Sequence, residues 1–145
     1  MKKEHANLFA GNRILLIVIG LVCFISFSYA DFRGVTSAKL EESISKGIPV
    51  IDIRRLDEWN NTGVIPTSHK LTFFDASGKY DVKDWMSKFE KIIKDKNQPF
   101  ILICRSSHRT GKVGNFLDKE LGYKNVYHLK GGINSWMANN KKTVK

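Results

Sequence analysis

The segment from Phe100 to Thr110 carries the side chains of this chain that are best suited to chemistry. An apolar run ends on Cys104, a polar and cationic stretch follows, and Thr110 opens a segment with helical spacing. A cysteine between a strand end and a helix N-terminus lies where backbone N–H groups converge with the positive end of the helix. Such surroundings stabilise the thiolate, which is the nucleophilic form of cysteine. The order of residues therefore predicts a nucleophilic thiol in an anion-binding loop.

The composition of this loop separates two interpretations of the cysteine. Cys104 is either a nucleophile or a small hydrophobic residue buried at the end of a strand. A structural turn has no need of two arginines, two serines and a histidine in succession. Arg105 and Arg109 also bring two cations to the thiol, which suits an anionic substrate. We therefore favour the nucleophile.

The first thirty residues are predicted to be a secretory signal peptide. Basic residues precede an apolar run at residues 14–27, and the small residues Ser28 and Ala30 then form a cleavage signal. The run is shorter than the roughly 20 residues that a membrane-spanning helix needs. Cleavage after Ala30 leaves one domain at residues 31–145, exported to the bacterial periplasm and without stable membrane association. An uncleaved membrane anchor is the alternative.

Cysteine count and charge narrow the function further. Without the leader, which contains Cys23, the chain has Cys104 as its single cysteine, and a lone thiol in an oxidising compartment favours a chemical role. The formal net charge is +10, but the lysines alternate with acidic residues in a pattern typical of solvated helix faces. We therefore expect no nucleic-acid partner. The basic residues from Lys141 to Lys145 are expected to form a frayed tail.

Strand-like and helix-like segments alternate along the rest of the chain. Strands are predicted at residues 50–53, 71–74, 100–103 and 125–129, with a helical turn at residues 56–60. Helices are predicted after Thr36, from near Asp81, from Thr110 to Gly122 and after Gly131. The alternation predicts an α/β fold of three layers, with a central, mostly parallel sheet flanked by helices.

Three separated pieces of the sequence form a recognisable set of motifs. Residues 52–59 follow the pattern acidic-x-Arg…Glu-aromatic after the first core strand, residues 104–109 form a six-residue loop from Cys to Arg, and residues 131–136 follow the pattern Gly-Gly-aliphatic-x-x-Trp. Together they resemble the single-domain rhodaneses, a family of sulfurtransferases whose active loop frequently has the form Cys-Arg-Ser-Gly-x-Arg. The chain departs from the family pattern at Ser107 and His108, where Gly-Asn is common, and at residues 63–68, where Gly-His-Ile-Pro-Gly-Ala is frequent.

The resemblance implies a sulfur shuttle that needs no cofactor and no metal. The Cys104 thiolate takes the outer sulfur of a thiosulfate-like anion as a persulfide, and a thiol, cyanide or a protein acceptor removes it. The implied substrate-binding residues are Arg105, Ser106, Ser107, His108, Arg109 and Thr110. Asp52 and Arg54 are expected to support the site as an ion pair. For Arg109 a structural pairing with a nearby carboxylate is the alternative.

Three further functions stay open at this point. Phosphatases and arsenate reductases use a similar anion loop, but they place the arginine six residues after the cysteine, where this chain has Thr110. A docking module of the same fold is the second, and a persulfide carrier that serves protein partners is the third. A metal site formed by Cys104 with His69, His108 and His128 is not expected, because their spacing fits no compact ligand pattern.

Overall fold

One parallel sheet forms the centre of the domain. The computed structural model describes residues 33–145, so the predicted signal peptide lies outside the described residues. The strands are β1 (Gly34–Val35), β2 (Val50–Asp52), β3 (His69–Lys70), β4 (Phe100–Ile103) and β5 (Val126–Leu129). Their order is β1-β5-β4-β2-β3, and all four pairings between them are parallel. No helix within residues 33–145 is long and apolar enough to cross a membrane.

Helices cover both faces of this sheet. They are α1 (Ser37–Ser45), α2 (Leu56–Thr62), α3 (Val82–Phe89), α4 (His108–Asn115) and α5 (Gly132–Ala138), and a π-helical segment (Phe116–Glu120) continues α4. Along β4, Phe100 and Leu102 join a core cluster with α3 and α4, whereas Ile101 and Ile103 join a second cluster with α1 and α5. A strand whose alternate side chains are all buried needs a layer on each face. The predicted three-layer α/β fold is confirmed.

The edge strand β3 does not lie where it was predicted. Residues 71–74 were expected to form it, but β3 is His69–Lys70, and both of its residues are exposed. Pairing at a sheet edge uses backbone groups, so polar residues serve there as well as apolar ones. The chain then leaves the sheet while Leu71 and Phe73 still donate N–H bonds to the carbonyls of Asp52 and Ile53.

The predicted frayed C-terminal tail is wrong. Val144 exchanges two backbone hydrogen bonds with Val64, at 2.8 and 2.9 Å, in an antiparallel bridge. The Thr143 hydroxyl donates to the Thr62 carbonyl at 2.8 Å, and Lys141 pairs with Glu41. The tail therefore packs against the segment that follows α2.

Candidate active site

Cys104 directly follows the middle strand of the sheet. β4 is third in the five-strand order and ends at Ile103, so the cysteine lies at the carboxyl end of the sheet, where open parallel sheets bind their ligands. The side chain is 1% exposed. Its Sγ lies 3.5 Å from Oγ1 of Thr110, in the first turn of α4. The sulfur is therefore held at the N-terminus of this helix.

Helix α4 begins earlier than its sequence indicates. Its first residue is His108, not Thr110, so Arg109 and Thr110 belong to the helix rather than to the loop. The N–H groups of a first helical turn have no intrahelical acceptor, and they carry the positive end of the helix dipole. Thr110 is completely buried, so its hydroxyl contacts the sulfur instead of solvent.

Ser107 explains why the helix can begin there. The residue adopts a left-handed conformation with φ of 77°, which favours glycine and costs other residues about 1 kcal/mol. The Ser107 hydroxyl donates to the Leu129 carbonyl at 3.0 Å and accepts the Gly131 N–H at 2.7 Å. These two bonds tie the loop to the end of β5, and they offset the backbone strain.

Arg109 binds a carboxylate of the domain itself. Its two terminal nitrogens lie 2.7 and 2.5 Å from the two carboxylate oxygens of Glu58 on α2. Burial works against ionisation of Glu58, but the bonds from Arg109 and from the Arg55 backbone outweigh it and lower the pKa of this carboxyl. Bonding to Glu58 raises the pKa of Arg109, and the nearby Cys104 adds to that increase. Of the two roles considered for Arg109, the geometry shows the pairing with a carboxylate.

The other cationic and polar loop residues face solvent. Arg105, Ser106 and His108 are exposed. Arg105 lines a cleft of about 430 Å³ between α2 and the start of α5. His108 lines a second cleft of about 270 Å³, together with Arg109 and Lys112. Exposed cations next to Cys104 in sequence therefore line two separate clefts.

Asp52 and Arg54 form a buried ion pair beneath the site. Their closest nitrogen and oxygen are 2.7 Å apart, and their side chains are 0% and 1% exposed. Arg54 also donates to the Thr62 hydroxyl and to the Gly63 carbonyl, each at 2.8 Å. The pair thereby fixes the end of α2, the helix that carries Glu58.

The N-terminus of α5 packs on the backbone of the cysteine loop, which consists of residues 104–107. The Ile133 N–H donates to the Cys104 carbonyl at 2.9 Å, and the Asn134 N–H donates to the Arg105 carbonyl at 3.2 Å. Gly132 makes this approach possible, since a Cβ there would lie 2.4 Å from the Cys104 carbonyl oxygen. The Gly-Gly pair of the sequence is thus explained by contact with the cysteine loop.

The family model for rhodanese-like domains matches residues 36–139, which covers strands β2 to β5, the cysteine loop and α5. The chain belongs to the rhodanese-like domain family. A rhodanese domain-containing protein of Drosophila melanogaster is 33% identical over 89 residues, which span 60% of this chain and 79% of that protein.

For two further relatives, the match with this chain extends over most of the relative's length. YtwF of Bacillus subtilis, whose name describes a candidate sulfurtransferase, is 27% identical over 77% of this chain and 96% of its own. The crystal structure of a rhodanese-related protein from Thermoplasma volcanium superimposes with a TM-score of 0.59 at 25% identity. It covers 77% of this chain and 97% of that one. The sequence matches and the structural match therefore both indicate the rhodanese-like fold.

Two residues of this rhodanese-like domain reach the site from distant segments. Glu58 appeared in the sequence only as part of a motif, and its pairing with Arg109 joins residues 51 positions apart. His128 on β5 is 2% exposed, and its Nδ1 lies 3.0 Å from the Thr110 hydroxyl. The one local signal for His128 was a polar side chain within an apolar strand. His69 is exposed on β3.

We expect Gly132→Ala to destabilise the rhodanese-like domain by about 3 kcal/mol, because a clash with the Cys104 carbonyl adds to strain at a φ of 59°. Urea unfolding measures the loss. Gly122→Ala is the matched control, since its φ is 75° but nothing lies within 4 Å of the added Cβ, and we expect a cost of about 1 kcal/mol. Equal losses in the two variants would show that the contact with the loop is unimportant.

Proposed function

We propose that this rhodanese-like domain is a sulfurtransferase that moves sulfane sulfur through a persulfide on Cys104. The donor is a small anion such as thiosulfate, and the acceptor is a thiol or another thiophile. The observation that carries the proposal is a cysteine at the carboxyl end of the central strand, with its sulfur at the N-terminus of α4. The name of the Bacillus subtilis relative also supports sulfur transfer.

The chemistry needs two nucleophilic substitutions at sulfur. The Cys104 thiolate attacks the outer sulfur of thiosulfate, so that a new S–S bond forms, the old one breaks and sulfite leaves with the electron pair. The acceptor then attacks the outer persulfide sulfur and releases the thiolate. Neither step requires a general acid, because each leaving group is a stable anion. What the protein supplies is stabilisation of negative charge on sulfur, which helix N–H groups provide.

Arg105 is the proposed contact for the anionic donor. Arg105 belongs to the cysteine loop (residues 104–107) and its side chain is exposed; within residues 33–145 its guanidinium forms no ion pair. Arg109, by contrast, is neutralised by Glu58. A guanidinium without a carboxylate partner is available for a two-pronged contact with the oxygens of thiosulfate.

We expect Arg105→Ala to lower kcat/KM for thiosulfate about tenfold or more, the usual effect of losing a hydrogen bond to a charged group. Stability should not change, because the side chain is exposed. Sulfite release at increasing thiosulfate concentration measures the effect. Lys83→Ala, which removes an exposed cation on α3, is the control for net charge and should keep parental kinetics. Unchanged kinetics in Arg105→Ala would remove this residue from the donor site.

Phosphoryl or arsenate chemistry fits this loop less well. The residue six positions after the cysteine is Thr110, whose hydroxyl contacts the sulfur. The arginine before it is engaged by Glu58, which leaves no guanidinium at that position to clamp a tetrahedral oxyanion. Hydrolysis of p-nitrophenyl phosphate that is lost in Cys104→Ser would contradict the sulfur-transfer proposal.

A persulfide carrier would use the same site with a different acceptor. Repeated turnover of thiosulfate with cyanide supports a free-standing enzyme. Loading of one sulfur that only a protein acceptor removes indicates a carrier, and failure to load any sulfur indicates a docking module.

A further inference from the structure

A buried row of three side chains leads away from the active-site sulfur. The Thr110 hydroxyl lies 3.5 Å from Sγ of Cys104, 3.0 Å from Nδ1 of His128 and 2.9 Å from the Ser107 carbonyl oxygen. Cys104, Thr110 and His128 are 1%, 0% and 2% exposed. All three side chains are buried, so the Thr110 and His128 contacts act on the sulfur from inside the domain.

We infer that the Thr110 hydroxyl donates a hydrogen bond to the Cys104 sulfur when this sulfur is an anion, and that His128 is the positioning residue that keeps the hydroxyl proton available for that bond. The inference deepens the proposed function and rests on it in treating Cys104 as the sulfur nucleophile. His128 does so by donating its Nδ1–H to the Thr110 oxygen.

The hydrogen-bond count around Thr110 supports this assignment. A threonine hydroxyl has one proton and two lone pairs. With a neutral thiol, the oxygen accepts from Sγ–H and from Nδ1–H of His128, and it donates to the Ser107 carbonyl. With a thiolate, the hydroxyl proton turns to the sulfur and the bond from His128 remains. The Ser107 carbonyl keeps the Gly111 N–H at 2.9 Å, so the change leaves no buried acceptor unsatisfied.

The protonation of His128 Nδ1 determines which acceptor the Thr110 hydroxyl proton can bind. If Nδ1 carried no proton, it would accept from the Thr110 hydroxyl and compete with the sulfur for that proton. A donor at this position removes the competition, because the oxygen then receives a bond instead of giving one. The tautomer of a histidine is set by the partners of its ring nitrogens, and such fixed partners orient the groups they bind.

The first experiment tests the threonine in the reduced full-length protein without any sulfur donor. Thr110→Val keeps the shape of the side chain and removes the hydroxyl, and Thr110→Ser restores it. We expect Thr110→Val to lower the ultraviolet thiolate absorbance at neutral pH and to slow alkylation by iodoacetamide about tenfold. Thr110→Ser should stay close to the parent. A parental thiolate fraction in Thr110→Val would overturn the inference.

The second experiment tests the histidine with two replacements. His128→Asn places an amide N–H near the position of Nδ1, whereas His128→Leu offers no donor. We expect the asparagine variant to keep most of the thiolate absorbance and the leucine variant to lose as much as Thr110→Val. Thermal unfolding of both variants separates this effect from loss of stability. If the two His128 variants have equal thiolate fractions, His128 does not act through a donated hydrogen bond.

A double variant tests whether the two residues act in series. Adding His128→Leu to Thr110→Val should cause no further loss, because the histidine acts through the hydroxyl that is already absent. Additive losses of thiolate would show that Thr110 and His128 act independently, which would overturn the inference that His128 acts through Thr110. These readings need no sulfur donor, so they stand apart from the proposed function. If the parent protein loads no sulfur but its thiolate fraction differs from that of Thr110→Val, the sulfur-transfer proposal is wrong and the inference about Thr110 stands.

Discussion

We expect Cys104→Ser to lower the proposed sulfur transfer by at least about a thousandfold, because a serine hydroxyl forms no persulfide. After treatment with thiosulfate, the intact mass of the parent should increase by one sulfur atom, and cyanide should reverse the increase. The serine variant should gain no mass and release no sulfite. Both measurements report the first half of the proposed reaction, before any acceptor is involved.

The control for this result is the other cysteine of the chain. Cys23→Ser in the full-length protein should load sulfur like the parent, because the proposal assigns the persulfide to Cys104 alone. Thermal unfolding of Cys104→Ser should remain close to that of the parent, since serine and cysteine are similar in shape. A sulfur adduct of parental yield in Cys104→Ser would contradict the assignment of the nucleophile.

Arg54→Leu is expected to destabilise the domain by about 3–5 kcal/mol, the cost of leaving a buried charge without its partner. The variant removes the three hydrogen bonds between the Arg54 side chain and the Asp52 carboxylate, at 2.7 to 3.1 Å. It also removes the hydrogen bonds from Arg54 to Thr62 and Gly63. Urea unfolding measures the loss as a lower midpoint at constant slope.

An exposed ion pair provides the comparison. Lys88→Ala breaks the pair with Asp84, whose closest atoms are also 2.7 Å apart but whose side chains are more than half exposed, and the expected change is within about 0.5 kcal/mol. Combining Arg54→Leu with Asp52→Asn should recover part of the loss, because no unpaired charge then remains buried. A midpoint for Arg54→Leu close to that of Lys88→Ala would show that the buried pair contributes little.

The sequence predicted those parts of the site that depend on residues adjacent in the chain. The run from Phe100 to Ile103 indicated a strand buried on both faces, and Cys104 followed it at the point where a chain in a parallel sheet turns to its helix. The strand and the turn depend on a few adjacent residues, so a single sequence contains them. The Gly131-Gly132 pair entered the sequence analysis only as part of the family signature, and the structure supplies its physical reason, which is contact with the cysteine loop.

The parts that were missed depend on partners far along the chain. Ser107 adopts a left-handed conformation because Leu129 and Gly131 bind its hydroxyl, and this moves the start of α4 to His108. The pairing of Arg109 with Glu58 arises only when α2 and α4 meet. The contact of the tail with Val64 has the same origin, since no local pattern distinguishes a docked basic tail from a free one.

The bonds from α5 to the cysteine loop also set the polarity of that loop. In a trans peptide the carbonyl and the N–H point in opposite directions. Because the carbonyls of Cys104 and Arg105 are directed at α5, the N–H groups of Arg105 and Ser106 must point away from it. The first residues of α5 thus orient the amide dipoles of the loop, and a substitution there is expected to change the electric field around Cys104 while leaving the cysteine itself in place.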